Sequence, residues 1–175
     1  MKICILFFLG ASIGSFLGLV IDRFPEQSII RPSSHCSSCK KRLKVWDLIP
    51  ILSQLSTASK CRYCKVNIPY WYAGLEFLTG LTVLLCHFQL LSLTETILIL
   101  AGLVLTIYDI KHQEYPFAVW LVFTFVALLL SQLNWLFCCF LALAFLTEKW
   151  QLNIGSGDFL YLASLSLICG LTEIL

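Results

Sequence analysis

Residues 3–21 read ICILFFLGASIGSFLGLVI, with Lys2 ahead of them and Asp22-Arg23 behind. The run is unbroken by charge and is not spaced for a helix with one wet face. A membrane-crossing helix needs about 20 apolar residues, with roughly 17 as the lower limit. Five further blocks share its character: Trp71 to Leu93, Ile97 to Tyr108, Phe117 to Leu130, Trp135 to Leu146 and Phe159 to Leu175. The middle three are short and must borrow flanking residues to span. Hydrophobic residues make up 59% of the 175-residue chain, and mean hydropathy is strongly positive. A soluble domain of this length has no interior large enough to hide them. The expected fold is all-α, a polytopic membrane helix bundle of about six helices in a lipid bilayer.

The first block is expected to be a retained helix. Lys2 would suit a secretory signal, but the apolar stretch is long, lacks a small-x-small cleavage site in place and stops abruptly at Asp22-Arg23. Of the twelve Lys and Arg residues, nine lie between Arg23 and Lys65. Short loops rich in these residues stay in the cytoplasm. The 23–70 segment is therefore expected on the cytoplasmic side of the cell membrane, with the N-terminus outside. Counting spans, residues 109–116 and 148–158 return to the cytoplasmic side, together with Lys111 and Lys149. Trp46, Trp71, Trp135 and Trp150 then fall near membrane edges, and Trp120 does not. The net charge of +2 is a topology signal, and with no basic surface interleaved with aromatics no nucleic-acid partner is expected.

Three regions follow: a first transmembrane helix over residues 1–24, a polar cytoplasmic insert over 25–70, and a membrane core over 71–175. Four of the five prolines lie in the insert. No internal repeat or low-complexity tract is evident. Within the insert, Cys36-x-x-Cys39 and Cys61-x-x-Cys64 form two knuckle pairs, the donor set that structural zinc prefers. Stable disulfides are not expected in the cytoplasm, and no βαβ pattern surrounds either pair to suggest a redox motif. A segment this short and polar needs a staple. Lys40, Lys41, Lys60, Arg62 and Lys65 would offset the thiolate charge, and His35 is the one substitute ligand nearby. Cys4, Cys86, Cys138, Cys139 and Cys169 lie in apolar segments and read as small hydrophobes.

Ionisable groups at a membrane boundary are costly and usually mark function. Asp109 sits at the cytoplasmic end of one apolar block, and Asp158 follows Gly155-Ser156-Gly157 at the start of the last. The glycines would admit a close helix approach and positive φ angles. Asp158 would sit in a first helical turn, at the positive end of the macrodipole. Two carboxyls that meet share one proton and can act as general base and general acid on a water attacking a peptide carbonyl. The competing uses are ordinary ones: a helix cap for Asp158, and for Asp109 a boundary charge partnered by Lys111.

Five segments in order resemble the type IV prepilin leader peptidase family. They are Gly14-Ser15-Phe16-Leu17 through Asp22-Arg23-Phe24-Pro25, the doubled Cys-x-x-Cys insert, Asp47-Leu48-Ile49-Pro50-Ile51-Leu52-Ser53, Glu76-Phe77-Leu78-Thr79-Gly80, and Asp109 with Gly155-Ser156-Gly157-Asp158. The resemblance implies a GxGD-type membrane aspartic endopeptidase of the pilus, type II secretion or competence kind. It would remove the basic leader of a prepilin at the cytoplasmic face. It implies Asp109 and Asp158 as catalytic, structural zinc on Cys36, Cys39, Cys61 and Cys64, supporting roles for Gly155 and Gly157, and supporting or methyl-transfer roles for Glu76, Asp22 and Arg23. N-methylation of the new N-terminus with S-adenosylmethionine is a further implied activity, with no residues assigned to that cofactor. Glu114 and Glu148 would meet the basic leader. The chain departs from the pattern at Leu160, where Lys is usual, and at Tyr115-Pro116-Phe117, where Ile-Pro-Asp is usual. It ends at Leu175, where the resemblance implies further membrane helix. The alternatives are a small transporter with a proton-relaying track, for which only Glu76, Glu95 and Glu173 are placed, or an inactive zinc-loop scaffold.

Overall fold

The computed structural model describes residues 1–150 and 155–168. Among them the chain forms seven α-helices and no strand. The helices are α1 (Lys2–Arg23), α2 (Leu52–Thr57), α3 (Trp71–His87), α4 (Leu93–His112), α5 (Phe117–Leu130), α6 (Trp135–Lys149) and α7 (Ser156–Ser166). Each of the six apolar blocks thus produces one helix, and the insert adds the short α2. Residues 169–175, with Cys169 and Glu173, lie outside the described residues. Two helices, Lys2–Arg23 and Leu93–His112, are long and apolar enough to cross a membrane by length and composition. The 17 residues of α3 fall short of the Trp71 to Leu93 block, whereas the 15 of α6 run past Leu146 to Lys149.

The chain divides into two compact units, Met1–Phe88 and Gln89–Leu175. In the first, α1 lies along α3. Gly10, Gly14 and Gly18 recur every four residues on α1, which lines them along one face. A Cβ on Gly14 would come 2.9 Å from the Glu76 Cα, and one on Gly10 2.9 Å from the Gly80 Cα. Backbones this close tolerate only hydrogen at those positions. Tyr72 on α3 donates its hydroxyl proton to the Asp22 carboxylate at the end of α1.

The insert between them is organised by hydrogen bonds more than by core. The Arg23 side chain, 8% exposed, donates from its guanidinium to the Pro32 carbonyl at 2.7 Å and to that of Ser28 at 3.3 Å. The residues after α1 thereby wrap around a buried cation. The Glu76 carboxylate of α3, also buried, accepts the Ile51 N–H at 2.7 Å. Ile51 is held at φ 61°, an unusual conformation for a β-branched residue.

In the second unit α4, α5, α6 and α7 pack around Leu98, Ala127, Phe137, Ala163 and Leu167. Trp120 is the tryptophan that did not fit a membrane edge, and its position has a local reason. It is buried on α5, and its indole N–H lies 2.8 Å from the Ser164 hydroxyl oxygen and 3.0 Å from the Leu160 carbonyl on α7. Thr124 joins the same Ser164 hydroxyl at 2.8 Å. Large side chains still point outward on α5, among them Val122 at 60% and Leu129 at 70% exposed.

Candidate active site and metal centre

The Sγ atoms of Cys36, Cys39, Cys61 and Cys64 all lie within 4.8 Å of one another, and Cys36 and Cys64 are 3.7 Å apart. A tetrahedral zinc with Zn–S bonds of about 2.3 Å puts its sulfurs roughly 3.8 Å apart, so the donor set and its spacing fit that ion. The two knuckles share one local geometry. In each, the first cysteine's carbonyl accepts from a lysine four residues on, Lys40 at 2.9 Å or Lys65 at 3.0 Å. Both lysines adopt positive φ, 56° and 60°. Each first-cysteine N–H donates onward, Cys36 to the Lys41 carbonyl and Cys61 to that of Val66. The Cys64 and Tyr63 backbone N–H groups draw the Cys61 thiol down to about 6, while burial and the other three thiols push the Cys64 thiol up to about 11, so the first negative charge of the cluster falls on Cys61.

Of the insert cations, Arg62 pairs with Asp47 at 2.8 Å, and Lys41 sits 4.3 Å over the Tyr63 ring. His35 Nδ1 is engaged with the Ser33 carbonyl at 2.9 Å and is not part of the thiol cluster. No disulfide forms among the described residues. Cys4, Cys138 and Cys139 are exposed and Cys86 half-buried, so they face outward instead of filling the core.

The second centre lies wholly within Gln89–Leu175. Helix α4 ends one turn past Asp109, where Gln113 takes the left-handed conformation and donates its N–H to the Asp109 carbonyl at 2.8 Å. Pro116 then opens α5. On the other side Gly155 caps α7, and Asp158 occupies its first turn, not the cap itself. Asp109 and Asp158 line one cavity of about 490 Å³ together with Gly155, Gly157, Tyr115 and Tyr161. The expectation of positive φ at these glycines is corrected: no described glycine has one. Gly157 is needed for space, since a Cβ there would come 2.8 Å from Tyr115 Cγ.

Tyr115, which the sequence marked only as part of a departure from a motif, and Tyr161, which it did not mark, both line the cavity. The available signal was a tyrosine wedged between the end of one helix and a proline. The Tyr161 hydroxyl donates to the Leu98 carbonyl at 3.3 Å. The Tyr115 hydroxyl is buried and has no hydrogen-bond partner among the described residues. Burial pushes its pKa up, aided by Tyr161 and then Asp158.

Asp22, Arg23 and Glu76 belong to the first unit, each with the partner described above. Arg23 also lines a separate cavity of about 300 Å³ with Arg42, Ser33 and Ser34. Glu95, a candidate for a proton track, instead completes a capping box with Ser92 at the start of α4.

The described residues thus hold a four-thiol cluster in the first unit and, in the second, a cavity lined by the carboxylates of Asp109, Glu114 and Asp158. Residues 8–90 match the family model for the Bacterial Peptidase A24 N-terminal domain. The chain is 46% identical over 82 residues to the prepilin leader peptidase/N-methyltransferase of Myxococcus xanthus, covering 46% of this chain and 24% of that protein. It is 32% identical over 133 residues to the type 4 prepilin-like proteins leader peptide-processing enzyme of Escherichia coli, covering 61% and 48%. It is 28% identical over 214 residues to the prepilin leader peptidase/N-methyltransferase of Neisseria gonorrhoeae, covering 95% and 73%. No solved structure matches it. Residues 8–90 thus resemble the N-terminal domain of this peptidase family, and the chain is similar to these prepilin leader peptidases. It spans less than half the length of the first two of these relatives, and the family-model match stops short of both aspartates.

Proposed function

We propose that this protein is a membrane-embedded aspartic endopeptidase that removes the basic leader of a prepilin-like substrate. The observation that carries the reading is the shared cavity: Asp109 and Asp158, 49 positions apart in sequence, line it together. The names of the relatives support the substrate class. The outward-facing Leu, Val and Phe of α1, α3 and α5 support a lipid surround, since patches of this kind mark membrane or partner contact. The charge pattern supports an inner-membrane setting with the N-terminus outside and the aspartates at the cytoplasmic face.

Asp158 stands in the first turn of α7 and Asp109 in the last turn of α4. In this reading Asp158 acts first as the base and Asp109 as the acid. Asp158 takes a proton from water, and a C–O bond forms at the scissile carbon. The carbonyl pair moves onto its oxygen, which Asp109 protonates. Collapse returns that proton to Asp109, breaks the C–N bond, and passes the proton held by Asp158 to the leaving amine.

Zinc on the four cysteines is structural in this reading, because four protein ligands leave no open position. Methyl transfer from S-adenosylmethionine rests on the relatives' names alone. The Arg23/Arg42 cavity, with two cations and no acidic side chain in its lining, suits a sulfonium poorly, so no residues are assigned to that cofactor. Glu76 bonds Ile51, and Glu95 caps α4, local roles that leave a proton-relay track unsupported.

Co-expression with a prepilin, followed by intact-mass measurement, tests the reading. The expected result is loss of the leader with wild type and full-length substrate with Asp109→Ala or Asp158→Ala. Cleavage surviving both substitutions would remove it.

A further inference from the structure

We propose that the Tyr115 hydroxyl is a catalytic hydrogen-bond donor in this cavity, received by the carbonyl oxygen of the scissile peptide as charge develops on it. The inference rests on the aspartic-protease reading above. Tyrosine hydroxyls that are buried almost always find a partner, yet this one has none among the described residues. It lines the same cavity as both aspartates and lies close enough to Asp158 to feel its charge, while making no hydrogen bond to it. A donor set beside a carboxylate without touching it suits a third group placed between them.

The ring cannot easily turn away. Its ring packs on Gly157 so closely that no Cβ fits there, and the following residue, Pro116, is buried with a ring-fixed backbone. The other cavity tyrosine is already committed, since Tyr161 donates to the Leu98 carbonyl. Burial holds the Tyr115 proton on its oxygen, so the group remains a donor wherever the carboxylates work. A fixed donor aimed at developing charge costs no reorganisation during the reaction, which is why oxyanion donors matter. The covalent balance is that of the previous section: Tyr115 lends a hydrogen bond and keeps its proton.

The test compares wild type with Tyr115→Phe, full chain in detergent or liposomes, on a peptide carrying a basic leader and an apolar continuation. Removing one such donor is expected to lower kcat on the order of 10²-fold, with KM within about twofold and both limbs of the pH profile unmoved. Tyr115→His, which restores a donor, is expected to recover part of the loss, and thermal unfolding of each variant confirms an intact fold. Unchanged kcat in a folded Tyr115→Phe overturns the proposal. So does a rise in KM alone, which marks a binding contact, or a displaced acid limb, which marks a residue positioning Asp158. Wild type without cleavage overturns the protease reading and this inference with it, whereas an active Tyr115→Phe overturns this inference alone.

Discussion

The Glu76 carboxylate holds the Ile51 N–H at 2.7 Å, tying the insert's middle loop to the helix that follows it. Ile51 sits at a φ of 61°, and a backbone this strained persists only when its surroundings hold it. Glu76→Gln keeps an acceptor oxygen in place and is expected to cost under about 1 kcal/mol. Glu76→Ala leaves the N–H without a partner and is expected to cost about 1–3 kcal/mol. Unfolding midpoints in detergent check this, and equal midpoints for the two variants would show that the bond is not what holds Ile51.

Charge at the two aspartates is the second point of test. Asp109→Asn and Asp158→Asn preserve shape while removing the acid and the base. Positioned proton transfer contributes roughly 10²–10⁴-fold, so each variant is expected to lose at least about 10²-fold in leader removal, measured by mass against time. A variant retaining a third of wild-type rate would assign the chemistry elsewhere.

The two glycines of Gly155-Ser156-Gly157 are expected to behave differently. A methyl at Gly155 meets the Asp158 carboxylate at 3.6 Å, an ordinary contact, and its φ of −61° suits any residue. A methyl at Gly157 collides with the Tyr115 ring. Gly157→Ala is therefore expected to lose about 1–3 kcal/mol through overpacking, together with most activity, while Gly155→Ala stays near wild type. Equal behaviour in an unfolding and turnover assay would contradict the packing described here.

For the thiol cluster, elemental analysis of purified protein is expected to give about one zinc per chain. Cys36→Ser or Cys61→Ser is expected to reduce it to a small fraction. Chelation is expected to open residues 25–70 to protease while leaving the helices intact, because metal binding and folding of so small a segment are linked. Full zinc content in Cys61→Ser would exclude the four-cysteine site.

Much of this was legible in the sequence. The apolar blocks mark six helices because a helix satisfies its own backbone and needs only apolar cover. The doubled Cys-x-x-Cys spacing marks the cluster because two loops of fixed length bring sulfurs together almost regardless of what surrounds them. Partnerships between distant residues were not legible. Nothing local to Glu76 announces Ile51, and nothing local to Arg23 announces the Pro32 carbonyl. Tyr115 read as a departure from a motif, and only its packing on Gly157 reveals its place in the cavity. The glycines of α1 were visible, but within so apolar a run their four-residue rhythm did not say which helix would lie against them.

The paired knuckles of the insert carry a consequence for how the protein matures. Each loop closes through its own main-chain bonds, Lys40 to Cys36 and Lys65 to Cys61, so each half of the sulfur cage can take shape as soon as its stretch of chain emerges. The cation then has only to clasp two ready-made halves. Mismatched capture, with one ion on each pair, becomes the natural misassembly when metal is abundant, and scarcity favours the joined form.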